Sequence, residues 1–176
     1  MKLILIGFMG SGKSTVGKQL AAELRWTFTD SDAWIEDRAK ASVSRIFETG
    51  GESEFRKWEL QFAEQLDGKE EVIACGGGLP CHNDLITVLK EKGTVVYLKA
   101  SAETLIGRLK EEREERPLLA SLSDDLFAKE ITSRLEARKS IYQQADLVVE
   151  TDGKTIQEII DVILFSPHRP RRKHRI

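Results

Sequence analysis

The stretch "GFMGSGKST", residues 7–15, follows directly on the apolar run "LILI" (3–6). Gly7, Gly10, Ser11 and Gly12 offer no side chain, or only a hydroxyl, before Lys13 arrives. Glycine costs conformational entropy on folding and is kept where a backbone must turn tightly or approach a ligand. A plain turn accounts for one or two glycines, but not for this spacing. Residues 7–14 match G-x-x-x-x-G-K-[ST], in which successive backbone N–H groups point at phosphate oxygens and the next helix adds its positive N-terminal end. In that pattern the lysine reaches the β- and γ-phosphates and the hydroxyl after it ligates Mg²⁺. The bare pattern also arises by chance. Here a buried strand precedes it and a helix with Val16, Leu20 and Leu24 at a four-residue period follows, which is the context the loop requires. ATP-like phosphates are the expected ligand, held by Gly10, Ser11, Gly12, Lys13, Ser14 and Thr15.

Outward from this loop, apolar and turn patterns alternate. "KLILI" (2–6), "WTFTD" (26–30), "EEVIACGGG" (70–78), "TVVYLKA" (94–100) and "DLVVE" (146–150) read as strands. Helices are expected between them: charged stretches over about 31–67 stopped at Gly50 and Gly51, "HNDLITVLKEKG" with Gly93 as its stop, a helix leading into residue 110, one over about 125–143, and a last one carrying Ile156, Ile159, Ile160 and Ile163. The expectation is an α/β fold: a five-stranded parallel sheet flanked by helices on both faces.

Composition narrows the class. The 176 residues are 40% hydrophobic and 32% charged with a net charge of −2, enough for one domain with a real core and no global pull toward nucleic acid or acidic membranes. The apolar run Leu3–Met9 is far shorter than the roughly 18 residues of a membrane span. No small-residue cleavage site follows it before Lys13 and Lys18, so a cytoplasmic protein is expected. Cys75 and Cys81 flank "GGGLP" without metal-ligand spacing and read as two reduced thiols. The segment "KEEREERPLLASLSDD" (110–125) is charge-dense around Pro117 and is expected to be mobile. Residues 167–176 carry five Arg or Lys in the last eight positions and read as a basic, solvated tail rather than a nucleic-acid-binding arm.

Guanine readers carry N-K-x-D, but Asn83, the only asparagine, is followed directly by Asp84. A small-molecule kinase is the leading class, and it needs an acceptor site at the carboxyl ends of the strands. "TDSDAW" (29–34) supplies Asp30 and Asp32 there, to serve a metal and an attacking hydroxyl, or simply to cap the helix at "AWIEDRA". Arg56 in "GGESEFRKWE" offers a cation, or a surface salt bridge on a helix. Three glycines in "ACGGGLP" let backbone N–H groups near a ligand, or form a bare loop. Arg116 in "ERPLL" and Arg138 in "EARKSIY" complete the cations.

Taken together and in order, "GFMGSGKST", "DSD", "GGESEFR", "GGG", "RPLL" and "RKSIY" resemble the shikimate kinase family, of the nucleoside-monophosphate-kinase-like P-loop fold, over about residues 3–164. The resemblance implies transfer of the γ-phosphoryl of ATP to the 3-hydroxyl of shikimate in a single domain (1–166), with an acceptor-binding region at about 31–60 and a lid at about 110–125. It implies that Lys13 and the loop amides hold ATP, that Ser14 ligates Mg²⁺ with Asp30 assisting through water, and that Asp32 is the base. It implies that Arg56, Arg138 and the Gly77–Gly78 backbone grip the carboxylate. Arg116 belongs to the lid and neutralises the transferring phosphoryl, while Arg108 lies against adenine. Catalytic weight thus falls on Lys13, Asp32 and Arg116. The expected partners are ATP and shikimate, without nucleic acid or membrane, on a monomer. Cys75 stands where the family often has a hydroxyl residue, and Arg45 where it is usually acidic. A kinase of another small hydroxy acid such as gluconate and a silent ATP-binding module are the competing readings.

Overall fold

The computed structural model describes residues 1–68, 70–111 and 123–167. Five parallel strands, β1 (Lys2–Ile6), β2 (Thr27–Asp30), β3 (Glu71–Ala74), β4 (Thr94–Lys99) and β5 (Leu147–Glu150), form one sheet in the order β2-β3-β1-β4-β5. The helices are α1 (Lys13–Leu24), α2 (Ser31–Ala39), α3 (Val43–Glu64), α4 (Leu85–Lys92), α5 (Ala102–Glu111), α6 (Asp124–Tyr142) and α7 (Ile156–Phe165), with a 3₁₀ turn at Leu79–Cys81. The expected α/β class is observed.

The run "KLILI" is apolar without alternation because both faces of β1 are covered. Ile4 and Ile6 pack on one face with Ile73, Leu85, Leu89, Leu105 and Phe127, whereas Leu3 and Leu5 pack on the other with Val16, Leu20, Val96 and Ile160. Lys2 is also buried, and it is paired with Glu71 at 2.9 Å at the amino end of the sheet.

This layering creates the crevice. The chain leaves β1 into α1 on one face, and leaves neighbouring β3 toward α4 on the other. Helices that depart to opposite faces leave an opening outside the carboxyl ends of those strands, where ligands of parallel sheets bind. Asp30, Ala74 and Leu5 stand level across β2, β3 and β1. The chain just beyond them therefore brings together "DSD", the glycine triplet and the Lys13 loop.

The 31–67 stretch differs from the expectation. It breaks first at 40–42, where Lys40 adopts φ 52° and Ser42 caps α3, and α3 then runs through Gly50 and bends at Gly51 (φ 70°, ψ −175°). Gly51 takes a conformation that other residues rarely adopt, yet helix resumes after it, so the pair marks a bend and not an end. A third cluster, Ile35, Ile46 and Phe55, fastens α2 to α3 beside the crevice. Helix α4 begins only at Leu85 because Asn83 and Asp84 are left-handed. Most of the expected lid and tail, residues 112–122 and 168–176, lies outside the described residues.

Candidate active site

Between β1 and α1 the loop turns through Gly7, Gly10 and Gly12 at φ 146°, 77° and 91°. A Cβ at Gly7 would stand 2.6 Å from the Leu98 carbonyl oxygen, so glycine is required there for space as well. Gly12 occupies the N-cap of α1, and no side chain caps that end. Its first amides and positive end are left for an anion. Lys13 Nζ donates to the Phe8 carbonyl at 2.9 Å, which ties the lysine across the loop it closes. Arg108 Nη1 donates to the Gly10 carbonyl at 3.0 Å, holding the loop from α5. The Ser11 hydroxyl is buried without a hydrogen-bond partner among the described residues.

At the end of β2 both readings of "DSD" hold at once. Asp30 Oδ1 accepts from the Asp32 N–H at 3.0 Å and so caps α2, while its Oδ2 accepts from the Ser14 hydroxyl at 2.7 Å. Capping fixes the carboxylate that faces Ser14. Asp32 stands in the first turn of α2. Burial, and then the Asp30 carboxylate beside it, hold its carboxyl above the ordinary range, against the pull of Lys13 and the Ser31 hydroxyl.

The glycine triplet is a matter of space. A Cβ at Gly76 would lie 2.5 Å from Asp32 Oδ1, one at Gly77 3.3 Å from the Met9 N, and one at Gly78 2.9 Å from Arg56 Nη1. Each glycine abuts a different part of the site. Ser31 Oγ accepts from the Gly76 N–H at 2.7 Å, and the Tyr142 hydroxyl donates to the Gly77 carbonyl at 2.6 Å. The N–H groups of Gly77 and Gly78 find no acceptor among the described residues.

Arg56 projects from α3 in a clamp of acids. Its Nη1 donates to Glu59 Oε2 at 2.6 Å and its Nη2 to Glu52 Oε1 at 2.7 Å. Glu59 is only 1% exposed; burial raises its carboxyl and the Arg56 guanidinium opposes the rise. The expected helix salt bridge is real, but it also aims Arg56 at Gly78. Arg138 on α6 has no carboxylate partner among the described residues, and its guanidinium stacks over the Phe8 ring.

Two cavities result. One of about 260 Å³ is lined by Gly10, Gly12, Lys13, Ser14, Thr15, Asp30 and Cys75. The other, about 670 Å³, is lined by Phe47, Phe55, Arg56, Glu59, Gly78, Arg134 and Arg138. They meet at Met9, Asp32, Gly76 and Gly77. A phosphate cradle thus opens through one carboxylate into a chamber lined by three arginines. Ser14 and Asp30 offer the first cavity two hard oxygen donors, which suit Mg²⁺. Burial pushes the Cys75 thiol well up, so it stays protonated.

All the expected site residues except Arg116 come together around these cavities; Arg116 lies outside the described residues. Ser31, Glu59, Arg134 and Tyr142 went unassigned in the sequence reading. Glu59 had a local signal, an acid three residues after Arg56 on a helix. Tyr142 lay inside the "RKSIY" motif without a role.

The shikimate kinase family model matches residues 9–166. Shikimate kinase from Persephonella marina is 42% identical over 163 residues, covering 92% of this chain and 96% of that protein. A crystal structure of shikimate kinase from Bacteroides thetaiotaomicron superposes with a TM-score of 0.85 at 31% identity, covering 92% of this chain and 94% of that one. Shikimate kinase from Acinetobacter baumannii in complex with shikimate gives 0.84 at 33% identity, covering 93% and 90%. With its phosphate cradle, shared carboxylate and arginine-lined chamber in that same frame, the chain belongs to the shikimate kinase family.

Proposed function

We propose that this chain transfers the γ-phosphoryl of ATP to the 3-hydroxyl of shikimate, giving ADP and shikimate 3-phosphate, with Asp32 as the base between the two substrates. The observation that carries this reading is the meeting of the two cavities at Asp32 and Gly76–Gly77. Backbone amides from Gly10 to Thr15 and the Lys13 ammonium take the phosphates; Arg108 steadies that loop and lies toward adenine. Mg²⁺, held by Ser14 with Asp30 behind it, neutralises phosphate charge when bound.

In the larger cavity Arg138 and the Gly77–Gly78 amides take the acceptor carboxylate, and Arg56 completes the grip. A planar guanidinium meets a carboxylate through paired hydrogen bonds, which fixes the ring as well as holding it. That orientation sets the hydroxyl against Asp32, which accepts its proton as the phosphoryl transfers. Phosphoryl transfer asks chiefly for positioning and charge stabilisation. Arg116 closes the set from the lid at about 110–125, where water exclusion protects ATP from idle hydrolysis.

The test is ADP release with Mg²⁺ and ATP, with and without shikimate, gluconate in parallel and Asp32→Asn as the blank. Turnover that requires shikimate and collapses in the variant is expected. Shikimate-independent turnover, or full activity in Asp32→Asn, would overturn the reading.

A further inference from the structure

Tyr142, one of two tyrosines in the chain, lines neither cavity, yet its hydroxyl reaches the glycine triplet. Its ring is fully buried and packs on Tyr97 with centroids 5.0 Å apart. Burial raises the hydroxyl far above its ordinary range, so it remains a proton donor. The donated bond, 2.6 Å to the Gly77 carbonyl, fixes a peptide plane. The peptides described are trans, and in a trans peptide the carbonyl and the next N–H point in opposite directions. Pulling the Gly77 oxygen toward Tyr142 therefore turns the Gly78 N–H away from Tyr142, and Gly78 lines the larger cavity. That N–H has no acceptor among the described residues, as an amide reserved for a ligand would. Arg138 stands one helical turn earlier on α6 and lines the larger cavity together with Gly78.

We infer that Tyr142 is a positioning residue for the acceptor: its hydroxyl sets the Gly77–Gly78 peptide, which joins Arg138 in one carboxylate grip. The inference rests on the placement of the shikimate carboxylate proposed above. Tyr142 acts through a peptide plane, so its loss is read in recognition of the acceptor's charge and not in ATP binding.

The experiment measures binding of shikimate and of its uncharged carboxamide to the unsubstituted protein, Tyr142→Phe and Arg138→Lys, with steady-state rates alongside. A charged acceptor strengthens a hydrogen bond about twofold, so losing its alignment falls mainly on the carboxylate. In Tyr142→Phe, shikimate binding is expected to weaken about tenfold, with KM for shikimate rising in step, kcat nearly unchanged and ATP affinity retained. The preference for shikimate over the carboxamide narrows in both variants. A preference narrowed in Arg138→Lys but intact in Tyr142→Phe overturns the role of Tyr142 alone. A preference intact in Arg138→Lys overturns the carboxylate placement, and the inference with it. Should Tyr142→Phe not fold, 3-fluorotyrosine labelling gives two ¹⁹F resonances, assigned with Tyr97→Phe. A Tyr142 resonance that shifts with shikimate but not with the carboxamide supports the inference, and equal shifts with both overturn it.

Discussion

The Arg138 guanidinium carbon lies 5.5 Å from the centroid of the Phe8 ring. Phe8 belongs to the phosphate loop and Arg138 lines the larger cavity, so one stacked pair links that loop to that cavity. The triplet adds a second bridge, since Gly77 sits against Met9 of the same loop. The two sites therefore share a wall instead of merely facing each other.

Phe8→Leu keeps an apolar side chain in the core but removes the aromatic face under Arg138. A cation–π contact of this partly exposed kind contributes roughly 0.5–1 kcal/mol. Shikimate binding is expected to weaken about threefold, and the effect of bound ADP on shikimate affinity to shrink. Calorimetric titration with and without ADP measures both. An unchanged response to ADP would assign Phe8 to packing alone.

The triplet predicts two different failures from one added methyl group. Gly76→Ala places its Cβ against Asp32 Oδ1, whereas Gly78→Ala places it against Arg56 Nη1. Displacing the base by about 1 Å acts on the chemical step, and roughly 100-fold losses accompany such misplacement. Gly76→Ala should lower kcat by about that factor. Gly78→Ala pushes on the guanidinium that Glu59 and Glu52 hold, so it should raise KM for shikimate about tenfold. Initial rates over both substrates separate the two, and a kcat effect in Gly78→Ala would contradict the assignment.

Asp32 carries a cost that serves its proposed role as the base. Its folded-state pKa is raised above the ordinary 3.8 by burial and by Asp30. Between those two values the folded protein binds more protons than the unfolded chain, so stability falls as pH rises through that window. Above the window the penalty is fully present. Asp32→Asn should consequently be inactive yet more stable than the parent at neutral pH, with the gain vanishing below about pH 4. Urea midpoints at both pH values test it; an Asn variant less stable at pH 7 would contradict the direction. Activity of the parent should fall on acidification from above the ordinary carboxylate range, because the base works only when ionised.

How much of this was legible in the sequence depends on distance along the chain. The Lys13 loop was readable because its spacing is imposed by local backbone geometry, and the strands because burial on both faces leaves long apolar runs. The bend at Gly51 was read as a stop, since a glycine pair signals a break but does not say whether helix resumes. Ser31 and Tyr142 left no local trace. They act through hydrogen bonds to backbone 45 and 65 residues away, and no pattern within one element carries those. The dual use of Asp30 was likewise hidden: a capping residue and one facing Ser14 look identical until α1 and α2 are set side by side.

Glu59 is the opposite case, a local pair whose meaning depends on depth. At i and i+3 on an exposed helix, Arg56 and Glu59 would be worth little. Here the carboxylate is 1% exposed and accepts from Nη1 at 2.6 Å, while Glu52, on the open side, accepts from Nη2. The buried acid therefore fixes the inner edge of the guanidinium that abuts Gly78, and the exposed one only steadies the outer edge. Glu59→Gln retains the shape and removes the charge. It is expected to raise KM for shikimate about tenfold and to leave KM for ATP unaltered, because Arg56 loses its anchor while the Lys13 loop is untouched. Glu52→Gln, made in parallel, should change KM by less than about twofold, as an exposed partner contributes little. Equal effects from the two substitutions would mean that burial does not decide which acid aims Arg56.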